Sequence, residues 1–65
     1  MISIVIPTFN EVNNIIPLLK NLIHILKDFH YEIIVVDDDS PDGTSEEVNK
    51  YKKSNNNIKL ITRIG

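Results

Sequence analysis

Three consecutive carboxylates, Asp37-Asp38-Asp39, close an apolar run and open into Ser40-Pro41-Asp42-Gly43-Thr44. Side chains of like charge repel, so such a cluster needs a reason. It can bind a cation, or it can accept hydrogen bonds from ribose hydroxyls and base N–H groups, as an acid at a strand end does in dinucleotide-binding folds. It can also serve the chain itself. Asp39, Ser40, Asp42 and Thr44 are residue types that turn the backbone and cap a helix, with Gly43 as a turn residue. A second short segment, Pro7-Thr8-Phe9-Asn10-Glu11, offers an aromatic ring for stacking on a base or sugar and a carboxylate as acceptor. The same residues also admit plain structural roles: Phe9 as a core aromatic, Glu11 as a favourable charge near a helix N-terminus, Asn10 as a turn or cap residue. His24 and His30 stand six apart, on different faces of a helix, and do not form a metal pair.

The elements that position these residues alternate. Ile2 to Ile6 is short, β-branched and interrupted only by Ser3, which predicts a strand buried on both faces and ended by Pro7. Val12, Ile15, Ile16, Leu19, Leu22, Ile23 and Leu26 recur at helical spacing and form one apolar stripe. Asn13 or Asn14 is the expected cap, Pro17 falls in the first turn, and Asp28-Phe29-His30 ends the helix. Leu18 and Ile25 lie off the stripe, predicting burial on a second side. Tyr31 to Val36 is the second strand. Thr44, with Glu47 three residues on, has the pattern of a capping box opening a second helix. Ser54 to Asn57 is a turn, and Ile58, Leu60, Ile61 and Ile64 predict a third strand ending near Gly65.

A β-α-β-α-β order implies α/β architecture with parallel strands, since helical crossovers join parallel neighbours. The expected strand order is 3-2-1, one half of a doubly wound, three-layer Rossmann-like fold. In that topology the loops after the first and second strands emerge together at the carboxyl ends of the strands, where open α/β sheets bind ligands. Pro7–Glu11 and Asp37–Gly43 should therefore be neighbours.

Composition narrows the classes. The chain has 65 residues, no cysteine and a net charge of -2. There is no disulfide framework or thiolate metal site, which is compatible with a reducing compartment. No basic stripe suggests nucleic acid. No apolar run approaches the ~20 residues of a membrane span, and the N-terminus lacks a basic signal-peptide region. A chain this short sits near the limit of independent folding, and a three-stranded sheet leaves an open edge and an uncovered face. Residues 1–65 therefore read as the incomplete N-terminal part of a longer protein.

Taken together, Ile4-Val5-Ile6-Pro7-Thr8-Phe9-Asn10-Glu11 and Tyr31-Glu32-Ile33-Ile34-Val35-Val36-Asp37-Asp38-Asp39-Ser40-Pro41-Asp42-Gly43-Thr44 resemble the start of family-2 glycosyltransferases. The Ser-Pro-Asp-Gly-Thr extension looks like that of dolichyl-phosphate mannosyltransferases and related polyprenyl-phosphate enzymes. One departure is Phe9, where the family usually has Tyr; stacking survives, but a hydroxyl hydrogen bond does not. The resemblance implies a GT-A fold and a nucleotide-sugar donor, GDP-mannose. It implies that Pro7, Phe9 and Glu11 line the donor pocket and that Val35 and Asp37 hold the base and ribose end, with Asp38 second in rank. It further implies transfer with inversion to a dolichyl or polyprenyl phosphate, at the cytoplasmic face of the endoplasmic reticulum or plasma membrane or in the cytoplasm, assisted by Mg²⁺ or Mn²⁺. The family's metal-binding Asp-x-Asp motif and catalytic base lie beyond residue 65, so this stretch carries no catalytic and no metal-ligating residue.

Other readings compete. A dinucleotide-binding oxidoreductase needs a glycine-rich turn after the first strand, and Pro7-Thr8-Phe9-Asn10 has no glycine. A haloacid-dehalogenase-like phosphotransferase would use Asp37 and Asp39, but places Thr or Val where Pro41 stands. A response-regulator receiver clusters its acids after the first strand. A truncated, non-catalytic remnant is the remaining alternative.

Overall fold

The computed structural model describes residues 1–64. Five elements follow one another: β1 (Ile2–Thr8), α1 (Ile15–Leu26), β2 (Tyr31–Asp37), α2 (Thr44–Lys52) and β3 (Ile58–Thr62). The strands form one parallel sheet in the order β1-β2-β3, the expected 3-2-1 read from the other edge. Ile2 pairs with Tyr31 and Thr8 with Asp37, while Ile33 pairs with Ile58 and Asp37 with Thr62. β3 ends before Ile64; Gly65, where its end was expected, lies outside the described residues.

The core forms where both helices meet one face of the sheet. Ile15 and Leu19 of α1, Ile33 and Val35 of β2, Val48 of α2 and Ile58 of β3 make a single buried cluster. Ile6, Leu22, Ile23, Tyr31, Tyr51 and Leu60 pack around it. Strand residues alternate between faces, so Ile33, Val35 and Asp37 point under the helices and are buried. Glu32, Ile34 and Val36 point to the other face and remain partly open.

That one-sidedness corrects the expectation for β1. It is not buried on both faces: Val5, on the side away from the helices, is 60% exposed, because no described helix covers that side and β1 has a single described neighbour. Nor does Pro7 end the strand. β1 continues through Pro7 to Thr8, as an edge strand permits, since it leaves alternate N–H groups unpaired. Leu18 and Ile25 are likewise exposed rather than buried on a second side. Leu18 borders a groove with Ile6 and Ile15, and no described residue buries it or Ile25.

Two capping expectations also change. Asn14 is the N-cap of α1 but makes no side-chain cap bond; its amide donates to Glu11 Oε2 instead. Thr44 is the first residue of α2, preceded by Gly43 in the left-handed region at φ 90°. Glu47 does not reach back to close a capping box; it bonds Lys50. Asp42 takes the capping role, its Oδ1 accepting from both the amide and the hydroxyl of Thr44.

Candidate functional site

β1 and β2 end side by side, so the loops that follow them meet, as the parallel topology requires. The ladder extends one step further: the Asp38 amide donates to the Thr8 carbonyl at 3.0 Å, and the Arg63 amide to the Asp37 carbonyl at 2.7 Å. Beyond it, Asn10 and Asp39 turn through the left-handed region, at φ 54° and 53°, which asparagine and aspartate tolerate better than other non-glycine residues.

The three adjacent carboxylates do not share one space. Asp37 points under the helices and is fully buried. Its Oδ1 accepts from the hydroxyls of Thr8 at 2.8 Å and Ser40 at 2.6 Å. Its Oδ2 accepts from the Ser40 amide at 3.0 Å and the Ser45 hydroxyl at 2.8 Å. Ser45 in turn lies 3.0 Å from the Thr62 hydroxyl. Asp38 and Asp39 are exposed. Burial pushes the Asp37 carboxyl upward, but the hydroxyl and amide of Ser40, then Ser45 and Thr8, outweigh it and hold the group below the usual carboxylate range. Four donors around a carboxylate stabilise its charged form, so Asp37 needs no cation to balance it.

The six residues expected at a donor site separate accordingly. Pro7, Phe9 and Asp38 border a depression of about 290 Å³ on the open face of the sheet, together with Thr8, Val36 and Arg63. Phe9 is 55% exposed, so it is not a core aromatic; its ring is available for stacking. Glu11 borders a second, apolar groove of about 350 Å³ along the free edge of β1, with Ile6, Ile15 and Leu18 among its walls. Pro7 and Thr8 line both, so a ligand lying across the end of β1 reaches both hollows. Val35 and Asp37, by contrast, have no exposed surface. They are displaced from the open face by one residue, which in a strand means the opposite side. Val36 and Asp38 occupy the open positions instead.

Sequence reasoning passed over Val36, Arg63, and the hydroxyls of Thr8, Ser40 and Ser45 that surround Asp37. The signal for the hydroxyls was present: a strand-end acid with Ser at the third and eighth positions after it. A fully buried Asp37 with every acceptor position engaged is also a poor phosphoryl nucleophile, which counts against the dehalogenase-like reading. Among the described residues, no group of three or more His, Cys, Asp or Glu side chains converges as a metal-ligand set, and no helix is long and apolar enough to cross a membrane.

Comparison with known proteins gives this geometry a context. Residues 3–64 match the model of the family described as glycosyl transferase family 2. The chain is 42% identical over 62 residues to a dolichol-phosphate mannosyltransferase of Pyrococcus furiosus, covering 95% of this chain and 17% of that protein. It is 41% identical over 63 residues to a poly(ribitol-phosphate) beta-glucosyltransferase of Bacillus spizizenii, covering 95% of this chain and 10% of the relative. A dolichyl-phosphate beta-glucosyltransferase of Dictyostelium discoideum is 33% identical over 69 positions, covering 92% and 21%. The chain thus spans no more than 21% of the length of these relatives.

Proposed function

This chain belongs to glycosyl transferase family 2, and we propose that it builds the donor-nucleotide part of an inverting glycosyltransferase that uses GDP-mannose and a dolichyl or polyprenyl phosphate. The observation that carries the reading is the depression on the open sheet face, where an exposed aromatic ring, Phe9, stands beside an exposed carboxylate, Asp38, and Arg63. A ring stacks on a nucleobase. A carboxylate accepts from base N–H or ribose O–H groups, and a guanidinium donates to a base carbonyl or phosphate oxygen. At about 290 Å³ the hollow lies at the small end of ligand sites, which run from roughly 300 to 1,000 Å³. It suits the base and ribose, with the sugar diphosphate extending across Pro7 and Thr8 towards Glu11.

Asp37 then has an indirect part. Its acceptors are spent on Thr8, Ser40 and Ser45, so it orders the floor of the site rather than touching the nucleotide. The reaction proposed for the complete protein is one displacement. A phosphate oxygen of the lipid attacks the anomeric carbon, the bond from that carbon to the nucleoside diphosphate breaks, and configuration inverts. This chain contributes orientation. The described residues do not provide a ligand set that fits the proposed Mg²⁺ or Mn²⁺. Mannose as the sugar and a lipid phosphate as the acceptor draw support from the mannosyltransferase likeness; work at the cytoplasmic face of a membrane is part of the same proposal. The two glucosyltransferase relatives make a glucose donor the rival, with UDP as its carrier. Calorimetric titration with GDP and with UDP separates the two. GDP preference supports the mannosyl reading, UDP preference replaces it with the glucosyl one, and binding of neither removes the donor site from this chain.

A further inference from the structure

Three consecutive backbone amides in the loop after β1 are held by three side chains of the loop after β2. The Asn10 amide donates to the Ser40 hydroxyl at 2.9 Å, the Glu11 amide to the Thr44 hydroxyl at 3.1 Å, and the Val12 amide to Asp42 Oδ2 at 3.1 Å. Each pair is separated by 30 or more residues in sequence, so this is tertiary structure and not local turn chemistry. The direction of every bond is fixed. The Ser40 hydroxyl spends its proton on Asp37, and the Thr44 hydroxyl spends its proton on Asp42. Both oxygens therefore face the first loop with lone pairs only, and Asp42 is an acceptor at both ends. Thr44 is fully buried and Ser40 nearly so, where water competes least for these bonds.

We propose that Ser40, Asp42 and Thr44 are positioning residues, gripping the Asn10-Glu11-Val12 backbone so that Phe9 and Glu11 stand correctly for the donor nucleotide. The proposal rests on the donor-site reading above. It gives the Ser-Pro-Asp-Gly-Thr segment a task across the site. The ring of Phe9 is exposed and has little packing of its own, so its place is set by the backbone that follows it. The carboxylate of Glu11 has one described partner, the Asn14 amide, and likewise depends on where its main chain is held. An amide at position 42 would oppose N–H to N–H at either Val12 or Thr44, so the grip requires an acid there.

The test compares Thr44→Val with Thr44→Ser in the 65-residue chain. Valine keeps the buried shape and removes the hydroxyl, both the acceptor for the Glu11 amide and the donor to Asp42; serine keeps the hydroxyl and removes a methyl. Amide hydrogen exchange and GDP titration are read on each. In Thr44→Val, exchange at Glu11 should quicken by roughly fivefold, the share of one modest hydrogen bond, while Ile33 and Val35 stay at the wild-type rate. The GDP dissociation constant should rise by a similar factor, and Thr44→Ser should restore both. If Thr44→Val fails to fold, Ser40→Ala is read at the Asn10 amide; it removes that amide's acceptor together with one donor to Asp37. Wild-type exchange and GDP affinity in the acceptor-free variants would overturn the proposal, as would a serine variant as impaired as valine. Absence of GDP and UDP binding by the wild type would instead overturn the donor reading, and the positioning role with it.

Discussion

Replacing Asp37 with asparagine changes one atom's chemistry at the centre of the site. The carboxylate oxygens accept four hydrogen bonds, from 2.6 to 3.0 Å, with no exposure to water. Asparagine keeps the size but makes one of the two positions an NH₂ group. The Ser40 amide can only donate, so the NH₂ must take the Oδ1 place, against the hydroxyls of Thr8 and Ser40. Thr8 can rotate and accept. Ser40 already accepts from the Asn10 amide; if it accepts from the new NH₂ as well, its own proton has no partner. Bonds to a charged acceptor contribute about 1.5–3 kcal/mol and neutral ones about 0.5–1.5, while an orphaned buried group costs about 1–3. Burying a neutral amide in place of a charge returns part of that loss. The net expectation is a destabilisation of about 2–4 kcal/mol in a domain whose size limits it to roughly 3–5. With a urea slope near 1 kcal/mol/M for so small a protein, the midpoint should fall by about 2 M or more, or the transition should vanish. A midpoint within about 0.5 M of wild type would refute the view that Asp37 organises the two loops.

Other consequences are open to similar measurement. Leu19 is fully buried between α1 and the sheet, so Leu19→Ala should cost about 2–5 kcal/mol in urea unfolding; a near-neutral result would mean the helix packs differently. Stability should also depend on acid in one direction. Asp37, Glu32 (through Lys59, then Ser3) and Asp42 (chiefly through Thr44) all have carboxyls held below their usual range. Their stabilisation is therefore complete above the unfolded values of about 4 and lost as pH falls through the folded ones. Urea midpoints should be level from about pH 5 to 7 and fall below about pH 4; an upward trend on acidification would contradict the assignments. Phe9→Ala should weaken GDP binding by about 1–3 kcal/mol, the usual contribution of one stacked base, without moving the unfolding midpoint, since the ring is exposed.

Much of this arrangement was legible in the residues. The stripe from Ile15 to Leu26 announces α1, and the parallel topology by itself puts Pro7–Glu11 beside Asp37–Gly43. What the sequence could not disclose was parity at the end of β2. Ile33-Ile34-Val35-Val36 is apolar on both sides, so no alternation marks which residues face the helices. A shift of one residue exchanges faces. Val35 and Asp37 proved to be the buried pair, and Val36 and Asp38 the open one. Leu18 and Ile25 misled for a related reason. An apolar residue predicts a neighbour, but cannot say whether that neighbour lies within the same 65 residues. The hydroxyl partners of Asp37 and the grip on Asn10, Glu11 and Val12 depend on long-range geometry that spacing alone does not encode.

The most direct test of the central claim is a heteronuclear NMR titration of the chain with GDP-mannose, following every backbone amide. Nucleotide docking on the open sheet face predicts the largest shifts at Phe9, Val36, Asp38 and Arg63, smaller ones at Glu11, and little change in the buried core at Leu19 or Val48. Shifts confined to the surface of α1 or α2, or no shifts at millimolar ligand, would contradict it.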